Sequence, residues 1–268
     1  MADALPKTLE EHREYLFSTI RLSLFFLARW QNEHPEEDFV SILRNRVNII
    51  RKTEFNPEGR VPASCNFYFE QPPWQRVEAR LKEIYTLVKG DERCFEEWGF
   101  DYLRPFVDRR CERDFYDRST EVLYQCGFLR HNPSLRGESE LGFHIRNDRT
   151  PNSFFNDPAH IRECFNQLLD VAERMHAEYI GTGTWLNSLP KWLALFPQEW
   201  QDNLSEPDTD VQWHKGFWGQ FINARGLFNA KTAAVLRSTG RFPYYRRTSR
   251  CRVSVMREFI NSPGYLGL

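Results

Sequence analysis

The sequence lacks the features that identify several classes of protein. Its six cysteines include no two within ten residues of each other, so it has no CxxC pair of the kind that structural zinc sites use. No run of about twenty apolar residues is present, so no transmembrane helix is predicted. With 36 Lys and Arg against 37 Asp and Glu, the net charge is almost zero. This balance argues against a protein that coats nucleic acid or an anionic membrane.

The motifs of common enzyme classes are missing as well. Neither glycine-rich nucleotide-binding pattern, GxGxxG or GxxxxGK[ST], occurs in the sequence. The serine hydrolase motif GxSxG and the zinc-binding motif HExxH are also absent. We therefore expect a cytoplasmic protein with reduced thiols, no bound metal and a small molecule as its partner. Nothing in the sequence predicts its oligomeric state.

The first hundred or so residues are predicted to be helical. Apolar residues recur at helical spacing over three segments, 9–30, 39–51 and 74–89. Residues 92–108 are predicted as shorter helical pieces, broken at Gly99 and Pro105. The apolar segment Leu22–Leu27 looks like a short signal-peptide core, but its flanking arginines favour a buried helix.

The second half is predicted to contain a βαβ unit. Leu141–Ile145 alternates in the manner of a strand, and Tyr179–Leu186 is a second candidate strand. Between them, Asp157 and Pro158 are typical of the N-cap and the first position of a helix. Such a unit requires parallel strands and a right-handed crossover. Its ligands usually lie beyond the carboxyl ends of the strands, near the helix N-terminus.

The C-terminal third has opposite charges in neighbouring segments. Residues 199–210 contain five acids and no base, whereas 225–257 contain nine bases and no acid. Phe242, Tyr244 and Tyr245 lie among these bases, an arrangement that could bind a polyanion or stack on nucleobases. Neutralisation of the bases by the acidic loop is the alternative that we favour. Short helices are predicted at 189–200, 230–237 and 252–260, and a bent strand or packed connection at 211–228.

The loop after the first predicted strand contains candidate phosphate ligands. Arg146, Asn147 and Arg149 lie between that strand and the helix start. Two arginines and free backbone amides at a helix N-terminus suit a phosphate or pyrophosphate. An ordinary solvent-exposed loop is the alternative interpretation.

The second predicted strand ends in an unusual segment, residues 180–188. Its glycines would let a ligand approach the backbone beside Thr184, Trp185 and Asn187, as in a binding cleft. A glycine bulge next to a core tryptophan would explain the same residues without a ligand.

Two of the seven histidines are candidate general bases. His144 alternates with apolar residues in the first predicted strand, and His214 lies in an aromatic segment. Each could instead be a hydrogen-bonded structural histidine. A metal site would require both to meet an acid such as Glu199 or Asp210 in space.

The order of several short motifs resembles that of bacterial acyltransferase-like proteins. The motifs are Val122–Leu129, Leu141–Ile145, Thr184–Leu186 and Arg247–Ser249, the last before a closing helix. These proteins have a helical N-terminal domain and a C-terminal half like that of GNAT-type N-acyltransferases. The chain departs from the family pattern at Arg146, where the family has Pro, at Thr184, where it has Ser, and at Asn187, where it has Leu.

The resemblance implies an α+β fold in which a helical domain, 1–115, packs on a GNAT-like α/β domain with a small mixed sheet and C-terminal helices, 116–268. It also implies an acyltransferase that moves an acyl group from an acyl-CoA or a carrier thioester to an amine or hydroxyl of a small molecule. The residues expected to act are Arg146, Asn147, Arg149 and Trp185 toward the donor, and His144, His214, Thr184 and Asn187 in catalysis. His144 is expected to act as the base and to share a cavity with Thr184 or Asn187.

Two functions from other classes remain open at this point. One is a metal- or haem-dependent tailoring oxygenase built around His144 and His214. The other is a non-catalytic binding protein that uses an aromatic cleft. That cleft would be lined by Trp185, Trp192, Trp213 and Trp218.

Overall fold

The structure is a computed structural model that describes residues 8–57, 68–117 and 125–267. Its α-helices are α1 (Leu9–Glu33), α2 (Phe39–Ile42), α3 (Pro72–Leu87), α4 (Glu92–Tyr116), α5 (Pro158–Arg174), α6 (Pro190–Leu193), α7 (Gln198–Asp202), α8 (Lys215–Trp218), α9 (Ala230–Thr239) and α10 (Val253–Asn261). Its strands are β1 (Leu129–His131), β2 (Glu140–Ile145), β3 (Tyr179–Thr184) and β4 (Arg247–Arg252). The fold is therefore α+β. Within these residues, no helix combines the length and apolar character needed to cross a membrane.

The long helices α1 and α4 form the centre of the helical part. α1 begins with a capping box, in which Thr8 and Glu11 each accept a hydrogen bond from the other's backbone amide. Leu22–Leu27 is buried in this helix, as predicted. The prediction that α4 breaks at Gly99 and Pro105 is wrong, because one helix runs through both residues. Gly99 instead gives room for the side chain of Leu24, and this packing against α1 outweighs the helix-breaking tendency.

The segment after α2 changes its helical type rather than continuing as the single helix predicted over 39–51. Leu43–Val47 forms a π-helix, and Ile49–Lys52 forms a 3₁₀ turn. Asn48 joins them with a left-handed backbone, φ 46° and ψ 60°. The register shift lets both apolar halves of the segment stay buried against α1 and α4.

The four strands form one mixed sheet in the order β1-β2-β3-β4. β2 pairs with β3 in parallel and α5 connects them, so the predicted βαβ unit is confirmed. Asp157 caps α5 and Pro158 begins it, also as predicted. β1 and β4 flank this unit as antiparallel strands. β4 was not predicted as a strand, because its outward positions are occupied by arginine and threonine and only Ser249 and Cys251 are buried.

Two clusters of buried apolar side chains lie in the molecule. The first surrounds α1, α3 and α4, and it also includes side chains from residues 211–242. The second lies between the sheet, α5, α6, α7 and α10. The segment 211–242 therefore returns to the helical part of the chain, while the division into domains 1–115 and 116–268 stays a prediction.

The acidic loop neutralises part of the basic segment, as we favoured from the sequence. Asp208 pairs with Arg246, and Glu199 pairs with Arg252, both at 3.2 Å. The predicted helix 189–200 is instead two short helices, α6 and α7, on either side of Pro197. α9 ends at Gly240, whose φ of 69° closes the helix as predicted.

Candidate functional site

The two faces of the sheet have different chemistry. Successive strand residues point to opposite faces, so Leu141 and Phe143 face α5 and are fully buried. His144 points to the other face. That face carries three glycines of the inner strands, Gly142, Gly181 and Gly183, and we call it the glycine face.

Charged side chains from other segments lie directly on the glycines of this face. A Cβ atom at Gly142 would come within 2.6 Å of Arg136 Nε and of Asn132 Nδ2. A Cβ atom at Gly183 would overlap the guanidinium of Arg246. The missing side chains therefore allow these polar groups to lie against the strand backbone.

His144 is a neutral imidazole on the glycine face. Its Nε2 lies 3.0 Å from Asn132 Oδ1. Because a carbonyl oxygen only accepts, Nε2 carries the proton and Nδ1 has the lone pair. Burial, followed by the nearby charges of Arg130, Arg136 and His214, lowers the pKa of His144 to about 4.

His214 lies next to the stem of Arg246, whose guanidinium covers Gly183, so the structure brings the two candidate bases to one side of the sheet. His214 is the N-cap residue of α8, and its Nδ1 accepts from the Gly216 amide at 3.1 Å. The neutral ring therefore carries its proton on Nε2. Burial and the neighbouring Arg246 lower the pKa of His214.

The loop after β2 is built by its own side chains. The Nδ2 group of Asn147 donates to the carbonyls of Asn152 and Ala224 at 2.7 and 2.8 Å, and its Oδ1 accepts from the Phe154 amide at 3.0 Å. Arg149 pairs with Asp157 at 3.2 Å. Both residues thus fix the loop.

The N-terminus of α5 already carries two carboxylates. Asp157 accepts from the His160 amide at 3.1 Å, and Asp148 lies 2.8 Å from His160 Nε2. These groups occupy the positive end of the helix dipole, where a phosphate would have bound. The predicted phosphate role of Asn147 and Arg149 therefore receives no support from this geometry.

The structure does not bring Thr184 and Asn187 to His144. Thr184 points to the α5 side of β3, and its hydroxyl accepts from the Leu186 amide. Asn187 is fully buried and uses its whole amide. It donates to two backbone carbonyls and accepts from two indoles, those of Trp192 and Trp200. Asn187 is a structural residue.

The four tryptophans proposed for an aromatic cleft are divided between the two apolar clusters, Trp213 and Trp218 in the first and Trp185 and Trp192 in the second. Trp192 is fully buried in the core under α5, and Trp218 packs on Phe26 and Phe242 in the helical core. Trp213 lies under the guanidinium of Arg51. Only Trp185 approaches the glycine face, where its indole lies beside Gly219.

The residues considered for a metal site do not meet. Glu199 pairs with Arg252, and Asp210 pairs with Arg46 at 2.6 Å. Across the part of the chain that the structure describes, no three His, Cys, Asp or Glu side chains are arranged to hold a metal ion.

Sequence reasoning missed the polar residues that cover the glycine face, namely Asn132, Arg136, Asp208 and Arg246. Asn132 and Arg136 come from the turn between β1 and β2, Asp208 comes from the loop after α7, and Arg246 directly precedes β4. The spacing of Gly142, Gly181 and Gly183 was the available signal, because glycines in strand interiors mark places where another group lies close to the backbone.

The inner strands of the sheet separate at their carboxyl ends. β2 and β3 pair only at Glu140–Gly142 with Tyr179–Gly181, although both strands continue for three more residues. Each remains paired with its outer neighbour throughout those residues. Across the gap, the hydroxyl of Thr182 donates to the Phe143 carbonyl at 2.7 Å. Backbone pairing between the middle strands thus ends before His144, and we call this unpaired stretch the gap between β2 and β3.

The gap between β2 and β3 and the glycine face together form the candidate site. They combine a place for an extended ligand with two neutral imidazoles and a fixed guanidinium. Comparison of the chain with protein-family models, with curated proteins and with solved structures gave no match, so a functional proposal has to depend on this geometry.

Proposed function

We propose that the protein is an acyltransferase of GNAT-like architecture, which moves an acyl group from an acyl-CoA or carrier thioester to a small molecule. The observation that supports this most directly is the gap between β2 and β3. Separated inner strands inside an otherwise continuous sheet are uncommon, because parallel neighbours gain hydrogen bonds by staying paired. A gap that the outer strands do not share is suited to a ligand.

A thioester donor fits such a gap for chemical reasons. Its acyl group is attached to a narrow, extended arm that contains amide groups. Asn132 N–H donates to Gly142 O, and Arg146 N–H donates to Phe128 O. The backbone hydrogen-bonding groups of Gly142 and Arg146 therefore point toward β1. By alternation, the backbone groups of Ile145 point into the gap. An arm placed there would pair with the strand as an added strand does.

The acceptor would bind on the glycine face, next to His144. A nitrogen or oxygen of the acceptor attacks the thioester carbon, the carbon–sulfur bond breaks, and the donor leaves as a thiolate, which takes a proton from solvent to become the thiol. His144 Nδ1, which has its lone pair available, would take the acceptor's proton. Positioning of the two substrates supplies much of the rate in such a transfer.

The roles first expected of the other residues change accordingly. Arg146, at the end of β2, is retained as a donor-side residue, and Trp185 as a wall of the site. Asn147 and Arg149 hold the loop, and Thr184 and Asn187 lie on the opposite side of the sheet.

The experiment is a calorimetric titration with CoA and acetyl-CoA, followed by an assay for thiol release in the presence of small amines. We expect measurable binding of both ligands. His144→Ala should keep that binding and lose at least about a hundredfold of the turnover. His131→Ala is the matched control, because the His131 ring bonds its neighbouring backbone carbonyl on β1.

The proposal fails if neither CoA nor acetyl-CoA produces heat or a thermal shift. It also fails if His144→Ala and His131→Ala reduce turnover equally, since the imidazole of His144 would then have no special role.

A further inference from the structure

Arg246 is held between two glycines that belong to different elements. Its guanidinium lies on Gly183 of β3, and its Cδ would be 3.3 Å from a Cβ atom at Gly216 of α8. α8 contacts β3 at this point. Side chains at either glycine would move the arginine, so both positions contribute to placing it. The side chain is still 27% exposed, and solvent reaches it.

One edge of the Arg246 guanidinium has no acid. Nη1 donates to Asp208 at 3.2 Å, but Nε is buried and has no hydrogen-bond partner among the described residues. Nε and Nη2 form the edge that binds a carboxylate with two parallel hydrogen bonds. A buried donor without a partner costs free energy, which a ligand at this edge would recover.

Other arginines of the same chain show what that edge binds when it is filled. Arg44 donates from Nε and Nη2 to the two oxygens of Glu78, both at 2.7 Å. Arg109 does the same to Glu54, at 2.7 and 2.6 Å. The Nε–Nη2 edge of Arg246 has the same donors.

His214 adds a further donor beside the Arg246 side chain. A Cβ atom at Gly216 would contact both the His214 ring, at 2.8 Å, and the stem of Arg246, which places the two side chains next to each other. Because His214 Nδ1 accepts from the Gly216 amide, its Nε2 is a donor.

The acids on this face are engaged elsewhere. Asp208 takes the opposite edge of Arg246. Glu140 lies between Arg136 and Arg250, at 3.4 and 3.9 Å. Neither carboxylate fills the Nε–Nη2 edge.

We propose that Arg246 and His214 form a binding site for an anionic group, a carboxylate or a phosphate, on the glycine face of the sheet. One part of this inference rests on the proposed function, namely that the anionic group belongs to the acyl acceptor. The acceptor would then be an amine or alcohol that carries an acidic group, held by Arg246 while its nucleophile faces His144. Bound there, the anion would also reduce the positive potential at His144 and make it a better base.

The test is an NMR titration that observes the arginine Nε–H groups and the Gly183 amide at constant ionic strength. The probes are acetate and inorganic phosphate, with acetamide as the neutral match for acetate. The Arg246 signal, assigned by its loss in Arg246→Lys, should shift with either anion and not with acetamide. Arg246→Lys should weaken anion binding at the Gly183 amide by at least about tenfold, because lysine cannot form the paired bonds.

Two variants separate binding from folding. Gly183→Ala should displace the guanidinium and weaken anion binding by a similar factor, while the strand accepts alanine without strain. Arg250→Lys in β4, the strand that directly follows Arg246, is the matched control, and it should leave anion affinity within about twofold. Backbone spectra of all variants should match that of the unaltered chain.

CoA and pantetheine, which lacks the phosphates of CoA, distinguish the two sources of an anion. If Arg246→Lys lowers affinity for CoA but not for pantetheine, and acetate leaves Arg246 unshifted, the site binds the donor and the acceptor assignment is overturned. If neither acetate nor phosphate shifts Arg246, the anion site is overturned. If the anions shift Arg246 while CoA does not bind at all, the anion site stands and the acyltransferase proposal falls.

Discussion

The two faces of the four-stranded sheet differ in what covers the strands. On the α5 face, Phe143 and Cys251 are fully buried, and even the polar Asn187 beneath it satisfies its whole amide. On the glycine face, three positions of the inner strands are glycine, and polar groups of the β1–β2 turn and of Arg246 lie against them. Arg246 Nε there is a buried donor with no hydrogen-bond partner among the described residues. The α5 face stabilises the fold, and the positioned polar groups of the glycine face suit a ligand.

Among the tests of this contrast, Phe143→Ala has the largest expected effect on stability. Phe143 is fully buried under α5 and packs near Trp200, so its removal should lower the free energy of unfolding by about 3–5 kcal/mol. Thr248→Ala, an exposed position on the glycine face, is the control and should change it by less than about 0.5 kcal/mol. Urea unfolding measures both. Equal effects would mean that the two faces do not differ in this way.

Asn187→Ala should have the next largest effect. It leaves the indole N–H groups of Trp192 and Trp200 and two backbone carbonyls without their partner. We expect a loss of about 2–4 kcal/mol, measured by urea unfolding, with CoA binding retained in the folded fraction. A stable variant that had lost CoA binding would instead return Asn187 to the binding site.

The pH dependence of stability sharpens the contrast further. The unfolded chain takes up a proton on His144 near pH 6.5, whereas the folded protein holds its pKa at about 4. The unfolded state therefore binds more protons between these values, and stability falls as the pH falls from 6.5 to 4. Because the ring is partly exposed, we expect a loss of about 1–2 kcal/mol. His144→Gln should flatten that slope in unfolding curves measured at several pH values, and an unchanged slope would contradict the assignment.

His144→Ala at neutral pH should have the smallest effect on stability. The ring is partly exposed, and its one described hydrogen bond is to Asn132, so we expect a loss below about 1 kcal/mol. Thermal unfolding measures this loss, with Phe143→Ala as the comparison because Phe143 is the neighbouring residue on the other face. A loss of 3 kcal/mol or more would make His144 a structural histidine.

Local patterns predicted the parts of the fold that local interactions decide. The alternation around Phe143, the Asp157-Pro158 start of α5 and the glycine end of α9 each have one dominant physical cause, and each is confirmed. α4 is different, because Gly99 and Pro105 disfavour a helix locally. Only the packing of Gly99 against Leu24 of α1 explains why the helix continues. β4 escaped prediction because its partners, not its own residues, make it a strand.

The same division holds for the candidate site. The sequence by itself determined the βαβ unit, the placement of His144 opposite Phe143 and the unusual glycines of the inner strands. Periodicity and capping are properties of neighbouring residues, so a sequence displays them. Only the tertiary structure decided that β2 and β3 separate, that Asn187 turns inward, and that Arg246 lies between Gly183 and Gly216. Those contacts join residues far apart in the chain, and their geometry exists only once the strands, α8 and the loops have packed together.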